Sequence, residues 1–305
     1  AAWYMFQSIL LEPIGQRLAR GKWARRLLVK DYSIVGNACR FEFDSLERAR
    51  QRFYVPRPAA LDTPSPHDLD LAGSLVPQFV TGDFKAQRVF LEDREYGLAL
   101  DTLVKACSDI LVLSADGKKV LLGQRKVEPQ PDWWFIGGRA RPGDTTRAAA
   151  ARNVKRELGL ELPEARFSVV ATYSMVWQFR QQAPAGNGTA DISTVHSLQL
   201  KAAEEARVNL DPKEYRDSKY VLLEDVLEGE YHPCLKQAVR DLLKRRALAA
   251  LLKVMEQDRS SAVTSAEGGG LLVEAARAFV AAHLAAEPEG EVAKVLFRDA
   301  KYVRC

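Results

Sequence analysis

The sequence predicts an α/β (α+β) chain of mixed strands and helices, and three local patterns carry that prediction. Apolar runs at 110–113 and 120–123 flank Ala115-Asp116-Gly117-Lys118, and an Asp-Gly between two such runs predicts a β-hairpin. Trp133-Trp134-Phe135-Ile136 reads as a short buried strand stopped by Gly137-Gly138. Residues 144–158 read as a helix: Asp144, Thr145 or Thr146 can cap it, four alanines favour it, and Gly159 ends it.

The remaining elements follow in order. Strands are expected at 167–179, 191–201 and 219–223, the first two joined by a loop containing Gly186-Asn187-Gly188. Residues 235–255 place Leu235, Val239, Leu242, Leu243, Ala247 and Leu251 at helical spacing with basic residues between them, as a half-buried helix requires. Ser260 to Gly270 reads as a flexible linker because it ends in three glycines, and 271–286 as an alanine-rich helix. Five prolines within 56–77 fix φ and remove donors, which predicts an extended connector. Three parts result: a basic N-terminal extension with its Pro-rich connector (1–103), a central domain (104–245) and a helical C-terminal extension (246–305).

Composition excludes collagen, a mostly disordered chain and a disulfide scaffold, since 47% of the 305 residues are hydrophobic and 28% charged. Cys39, Cys107, Cys234 and Cys305 form no Cys-x-x-Cys pair, so neither a zinc site nor a disulfide framework is indicated. The whole chain carries only +4, but residues 1–60 hold eleven Arg and Lys against five acids and so carry +6 by themselves. An Arg-rich, acid-poor segment has the flavour of a mitochondrial import signal, and it equally suits an arm that binds an acidic partner surface. The chain starts at Ala1, which leaves processing and an incomplete record both open. No apolar run approaches the ~18 residues that a membrane-spanning helix needs.

The chemistry is concentrated between Gly137 and Gly159. A glycine loop running into a helix offers free amides to an anion, and so suits a diphosphate. On the helix Arg152 and Arg156 are four apart, as are Asn153 and Glu157, so each pair shares a face. Glu157 suits a hard cation, because Mg²⁺ on diphosphates is held by one or two carboxylates plus phosphate oxygens; it equally suits an ion pair on a solvated helix.

These residues resemble the Nudix box: Gly, five residues, Glu, seven residues, then Arg-Glu-apolar-x-Glu-Glu-x-Gly-apolar. Here the positions fall on Gly138, Asp144, Arg152, Asn153, Val154, Arg156, Glu157, Gly159 and Leu160. Asn153 and Arg156 replace two glutamates of the box. The resemblance covers roughly 104–245 and implies a Nudix fold, a mixed sheet sandwiched between helices. Within the family the chain is most similar to GDP-mannose mannosyl hydrolases, through Leu121-Leu122-Gly123-Gln124-Arg125, Trp134-Phe135, the Gly-Gly-Arg and a box keeping its last glutamate. That likeness implies Mg²⁺ on Glu157 and on the carbonyl of Gly137 or Gly138, with Arg125 and Arg139 neutralising a diphosphate. It implies Glu157 and Arg152 as catalytic candidates. One residue is missing between Ile136 and Gly137, and the position of that subgroup's catalytic histidine falls on Tyr215. Tyrosine, with a pKa near ~10, is a poor base at neutral pH. Glu214, the third catalytic candidate, could replace it as base if desolvated or act as a second metal ligand, and His196 is open to either a structural or a pocket role.

Two functions follow. One is an accessory or structural subunit of a large assembly such as a mitochondrial one, since Nudix-like folds also occur as silent building blocks, in the mitochondrial ribosome's large subunit among others. Residues 1–55 and the C-terminal helices would then meet partner subunits, a nucleotide could still occupy the pocket, and RNA is a weaker partner. Trp3, Tyr4, Phe6 and Trp23 among the basic residues suit anchors in a protein partner. The alternative is a Mg²⁺-dependent hydrolase acting on a nucleoside diphosphate sugar or a related nucleoside diphosphate derivative.

Overall fold

A computed structural model of the protein describes residues 31–35, 38–42, 76–87, 89–260, 266–288, 295–298 and 301–304. The connector up to residue 75 and the arm's Trp3, Tyr4, Phe6 and Trp23 lie outside these, and so does most of the arm on which the import-like reading rests. Among the described residues, one compact unit takes those within Ala1–Leu69 and Ala247–Ala282, and another takes those within Asp70–Arg246 and His283–Cys305.

Strands β1 (Asp31–Val35) and β2 (Ala38–Glu42) pair as an antiparallel hairpin that the sequence reading did not anticipate. Helix α1 (Asp93–Thr102) precedes the central sheet. Next come β3 (Lys105–Leu113), β4 (Lys119–Arg125), β5 (Trp133–Trp134), β6 (Ile136–Arg139), α2 (Thr146–Leu158), β7 (Ser168–Trp177) and β8 (Thr189–Gln199). The chain continues through α3 (Ala202–Glu205), β9 (Tyr215–Leu222), α4 (Leu223–Glu228), α5 (Pro233–Ser260), α6 (Ala266–Ala285), β10 (Val295–Arg298) and β11 (Lys301–Arg304).

The expected hairpin forms β3 and β4, with Gly117 at φ +69° in the turn. β3 lies at the centre of the seven-stranded mixed sheet. It runs parallel to β8 along its whole length and antiparallel to β4 and β6, while β9 pairs with the far side of β4. Alternation along β3 decides the layers. Ile110 and Val112 enter an apolar cluster with Ala150, Val154 and Leu158 of α2. Leu111 and Leu113 enter another with Val226 of α4 and Leu235, Val239 and Leu242 of α5. A strand buried on both faces reads as a continuous apolar run, and 110–113 does.

Capping fixes the start and end of α2. The Thr145 hydroxyl accepts from the Ala148 amide at 3.0 Å, and Gly159 takes the left-handed conformation at φ +68°. The imidazole of His232 caps α5, its Nδ1 accepting from the Cys234 amide at 3.1 Å. In the other unit, Leu251 and Ala276 are buried against Leu272, Ala275, Phe279 and Val280.

Two expectations are corrected. The linker read at 260–270 is helical at Ser260, and again from Ala266 through the three glycines. Once a helix exists each added residue contributes another backbone hydrogen bond, which offsets glycine's cost of ~1 kcal/mol. The glycine pair does not stop a strand either: Gly137 and Gly138 lie inside β6, opposite Asp109 and Ser108 of β3. No helix among the described residues is long and apolar enough to cross a membrane.

Candidate functional site

Gly137 is a glycine because β3 passes so close: a Cβ there would sit 2.6 Å from the Ser108 carbonyl oxygen. The pair is therefore part of the sheet, and the turn leading to α2 lies after it, where the Asp144 amide donates to the Arg141 carbonyl at 3.0 Å. The carboxylate of Asp144 accepts from the Arg141 amide at 3.0 Å and from Arg152 Nη2 at 2.9 Å and Nε at 3.2 Å. Arg152 also donates to the Arg139 carbonyl at 3.0 Å. The expected catalytic candidate Arg152 thus braces the turn across the first two turns of α2.

The next box positions behave likewise. Asn153 is fully buried, and its amide donates to the Gly138 carbonyl at 2.9 Å and to the Ser108 carbonyl at 3.1 Å. Arg156 Nε donates to Glu157 Oε1 at 2.5 Å, Nη2 contacts the same oxygen, and Nη2 reaches the Gly137 carbonyl at 3.4 Å. Burial raises the pKa of Glu157, opposed first by the charge of Arg156 and then by its hydrogen bond. Glu214 pushes the Glu157 carboxyl further up, and Arg125 pulls it down.

Glu157, Glu214, Arg125 and Arg156 thus share one electrostatic neighbourhood with Tyr215. Tyr215 is buried, its ring packed where a side chain at Gly123 would be, and burial followed by the charge of Glu157 pushes its phenol well above the usual value. A phenol held protonated there takes no proton from water at neutral pH. Arg139 has turned outward, and its guanidinium stacks on the Tyr96 ring of α1 at 4.9 Å. His196 lies on β8 in the register of Leu198, on the α2 face, and burial pushes it down to about 4, so it stays neutral.

A second polar group was missed in the sequence. Asp109 is a lone charge at the head of the apolar run of β3, and that was the available signal. It accepts from Ser193 Oγ at 2.6 Å, and burial raises it to about 6. Beside it Asp191 pairs with Lys105 at 3.0 Å and accepts from Trp177 Nε1 at 2.9 Å.

The chain matches the NUDIX domain family over residues 105–242. Three solved structures are similar to part of the chain. A dihydroneopterin triphosphate pyrophosphohydrolase of E. coli is 20% identical, with 46% of this chain and 96% of that one covered at a TM-score of 0.36. A MutT protein from Methanosarcina mazei Go1 is 18% identical, covering 45% and 94% at 0.35. An Ap4A hydrolase of C. elegans is 18% identical, covering 46% and 95% at 0.34.

Nudix hydrolases generally use divalent metals, and the residues here do not fit one. Mg²⁺ needs oxygen ligands with free lone pairs, several of them charged. The Gly138 carbonyl expected to ligate is bonded by Asn153, and the first Glu157 oxygen is bonded by Arg156. No cluster of three or more His, Cys, Asp or Glu placed to hold a metal occurs among the described residues. With the sheet, the box helix and the family match in agreement, residues 105–242 match the NUDIX domain family and carry the Nudix fold.

Proposed function

We propose that this chain is an accessory, structural subunit of a larger assembly, a mitochondrial one, in which the Nudix box serves the fold and not hydrolysis. One observation carries the reading: Asn153, standing where the box has a carboxylate, spends its amide on the Gly138 and Ser108 carbonyls. A carboxylate there could coordinate a cation; a buried amide bonded to two carbonyls ties α2 to β6 and β3. The neutral, buried Tyr215 in the place of a base supports the same reading. The extensions outside the NUDIX domain, with +6 on residues 1–60, supply surface that pocket chemistry does not need. Residues 1–55 and the C-terminal helices would hold partner subunits.

The second reading is a Mg²⁺-dependent hydrolase of nucleoside diphosphate sugars or related derivatives. One feature favours it: Glu157 Oε2 is buried with no hydrogen-bond donor among the described residues. In that case Glu157 would carry the cation, Arg125 the diphosphate, and Glu214 would be the remaining base.

Two measurements separate them. The purified chain with Mg²⁺ should hydrolyse nucleoside diphosphate sugars negligibly, and the native protein should migrate in a particle far larger than its own 34.0 kDa. Robust turnover abolished by Glu157→Gln, from a protein that migrates as a monomer, overturns the subunit reading.

A further inference from the structure

Glu157 is an anion with a side chain only 1% exposed. An ionised carboxylate buried this far is strongly disfavoured unless a positive charge or strong donors compensate it. In this chain the compensation is covalently attached. Arg156 is the adjacent residue, and its guanidinium bonds Glu157 Oε1 through Nε, contacts it through Nη2, and extends Nη2 to the Gly137 carbonyl. One buried carboxylate oxygen plus one main-chain carbonyl is an oxygen set that a hard cation would take. Here a planar cation with fixed donors takes it.

The backbone leaves room for this. A Cβ at Gly138 would lie 2.8 Å from Arg156 Nη2, so the bare glycine accommodates the guanidinium. The surrounding charges also balance without a metal. Asp144 is paired with Arg152, Glu157 with Arg156, and position 153 is a neutral amide. Adding a divalent ion would bring positive charge against a guanidinium that already holds the ligands.

We propose that Arg156 replaces the divalent cation of the box, so that the site is closed to metal as it stands and a single charge reversal opens it. The proposal rests on the reading that the box is not hydrolytic, but its readout is metal occupancy and not turnover, so each can fail without the other.

The test uses the full chain and Mn²⁺ as the probe, with occupancy followed by electron paramagnetic resonance and stability by thermal unfolding. Wild type should show no saturable site and no Mn²⁺-dependent shift in Tm. Arg156→Glu supplies a second carboxylate beside Glu157; it should bind one Mn²⁺ at least tenfold more tightly than wild type and gain Tm with the metal. The double variant Arg156→Glu, Glu157→Gln should lose both gains. Should Arg156→Glu fail to fold without metal, recovery of folding on adding Mn²⁺ supports the proposal. Arg156→Ala gives a second arm, because it leaves Glu157 uncompensated and should be stabilised by Mn²⁺ where wild type is not. A saturable Mn²⁺ site in wild type that Glu157→Gln removes overturns the proposal. So do folded Arg156→Glu and Arg156→Ala proteins that gain nothing from the ion. Metal binding by Arg156→Glu without hydrolysis in any variant leaves both readings standing, whereas wild-type turnover without a saturable Mn²⁺ site defeats the subunit reading alone.

Discussion

Ser193 donates its hydroxyl to Asp109 across 2.6 Å, joining two parallel strands at a point where both side chains are buried. Burial raises the Asp109 carboxyl from 3.8 to about 6, with the Ser193 bond and Arg125 opposing. The folded state therefore holds this proton more tightly than the unfolded chain between about pH 4 and 6. The Asp109 contribution to stability falls as pH rises through that window, by on the order of 3 kcal/mol. Asp109→Asn keeps an acceptor for Ser193 and loses the titration. Urea unfolding across this range should find the variant gaining on wild type as pH rises, and a constant difference would refute the assignment.

His232 and His196 give the opposite slope. Burial lowers both from 6.5 to about 4, so their neutral forms are favoured in the folded state and stability is lost as pH falls from 6.5 towards 4. His232 packs edge-on against Trp134 at 5.1 Å while capping α5. His232→Asn offers a side-chain oxygen in place of Nδ1 as the cap acceptor and removes the titration. It should cost about 1 kcal/mol at neutral pH through the lost ring contact and show a shallower acid decline than wild type. An unchanged acid slope would place the sensitivity elsewhere.

Replacing Asn153 by aspartate should be more damaging than replacing it by alanine. Alanine leaves two buried carbonyls without their donor, at ~1–3 kcal/mol, while aspartate also faces them with a carboxylate. Denaturant midpoints of the two variants check the order. Equal stability of Asn153→Asp and wild type would remove the main support for a structural box.

Helix α1 docks through a residue without a side chain. A Cβ on Gly97 would lie 2.5 Å from the Ala183 carbonyl, a backbone atom that cannot step aside. Four residues on, Asp101 bonds the buried Arg180 at 2.7 Å and Asn187 at 3.1 Å. Gly97→Ala should lift α1, leave Arg180 without its partner and cost about 1–3 kcal/mol. Hydrogen exchange should show faster amides in Asp93–Thr102 with α2 unaffected; protected α1 amides would contradict this.

What the sequence made legible is what neighbouring residues decide. Asp116-Gly117 sets a local turn, Thr145 and Gly159 cap α2 at its two ends, and the 110–113 run marks a strand buried on both faces. What it hid depends on distant partners. Gly137-Gly138 looks like a loop until Ser108 and Asp109 arrive opposite it, and Arg156 looks like a lost ligand until its guanidinium is found on Glu157. Helix α1 carries few apolar residues of its own, and its docking through Gly97 leaves no periodic trace. Asp109 is a charge at the head of an apolar run, a signal passed over because its use requires Ser193 on another strand.

The parallel pairing of β3 with β8 also sets an order of assembly. Lys105 meets Asp191 only after β6, α2 and β7 have all been synthesised, because no tight turn can join parallel neighbours. Contacts of such sequence separation close slowly, since the loop entropy is lost before they contribute. During synthesis the β3–β4 hairpin can form early, while the other edge of β3 waits open for its central neighbour. The vulnerable interval in the life of this chain is therefore its birth, when an apolar strand edge is exposed to whatever else is nearby.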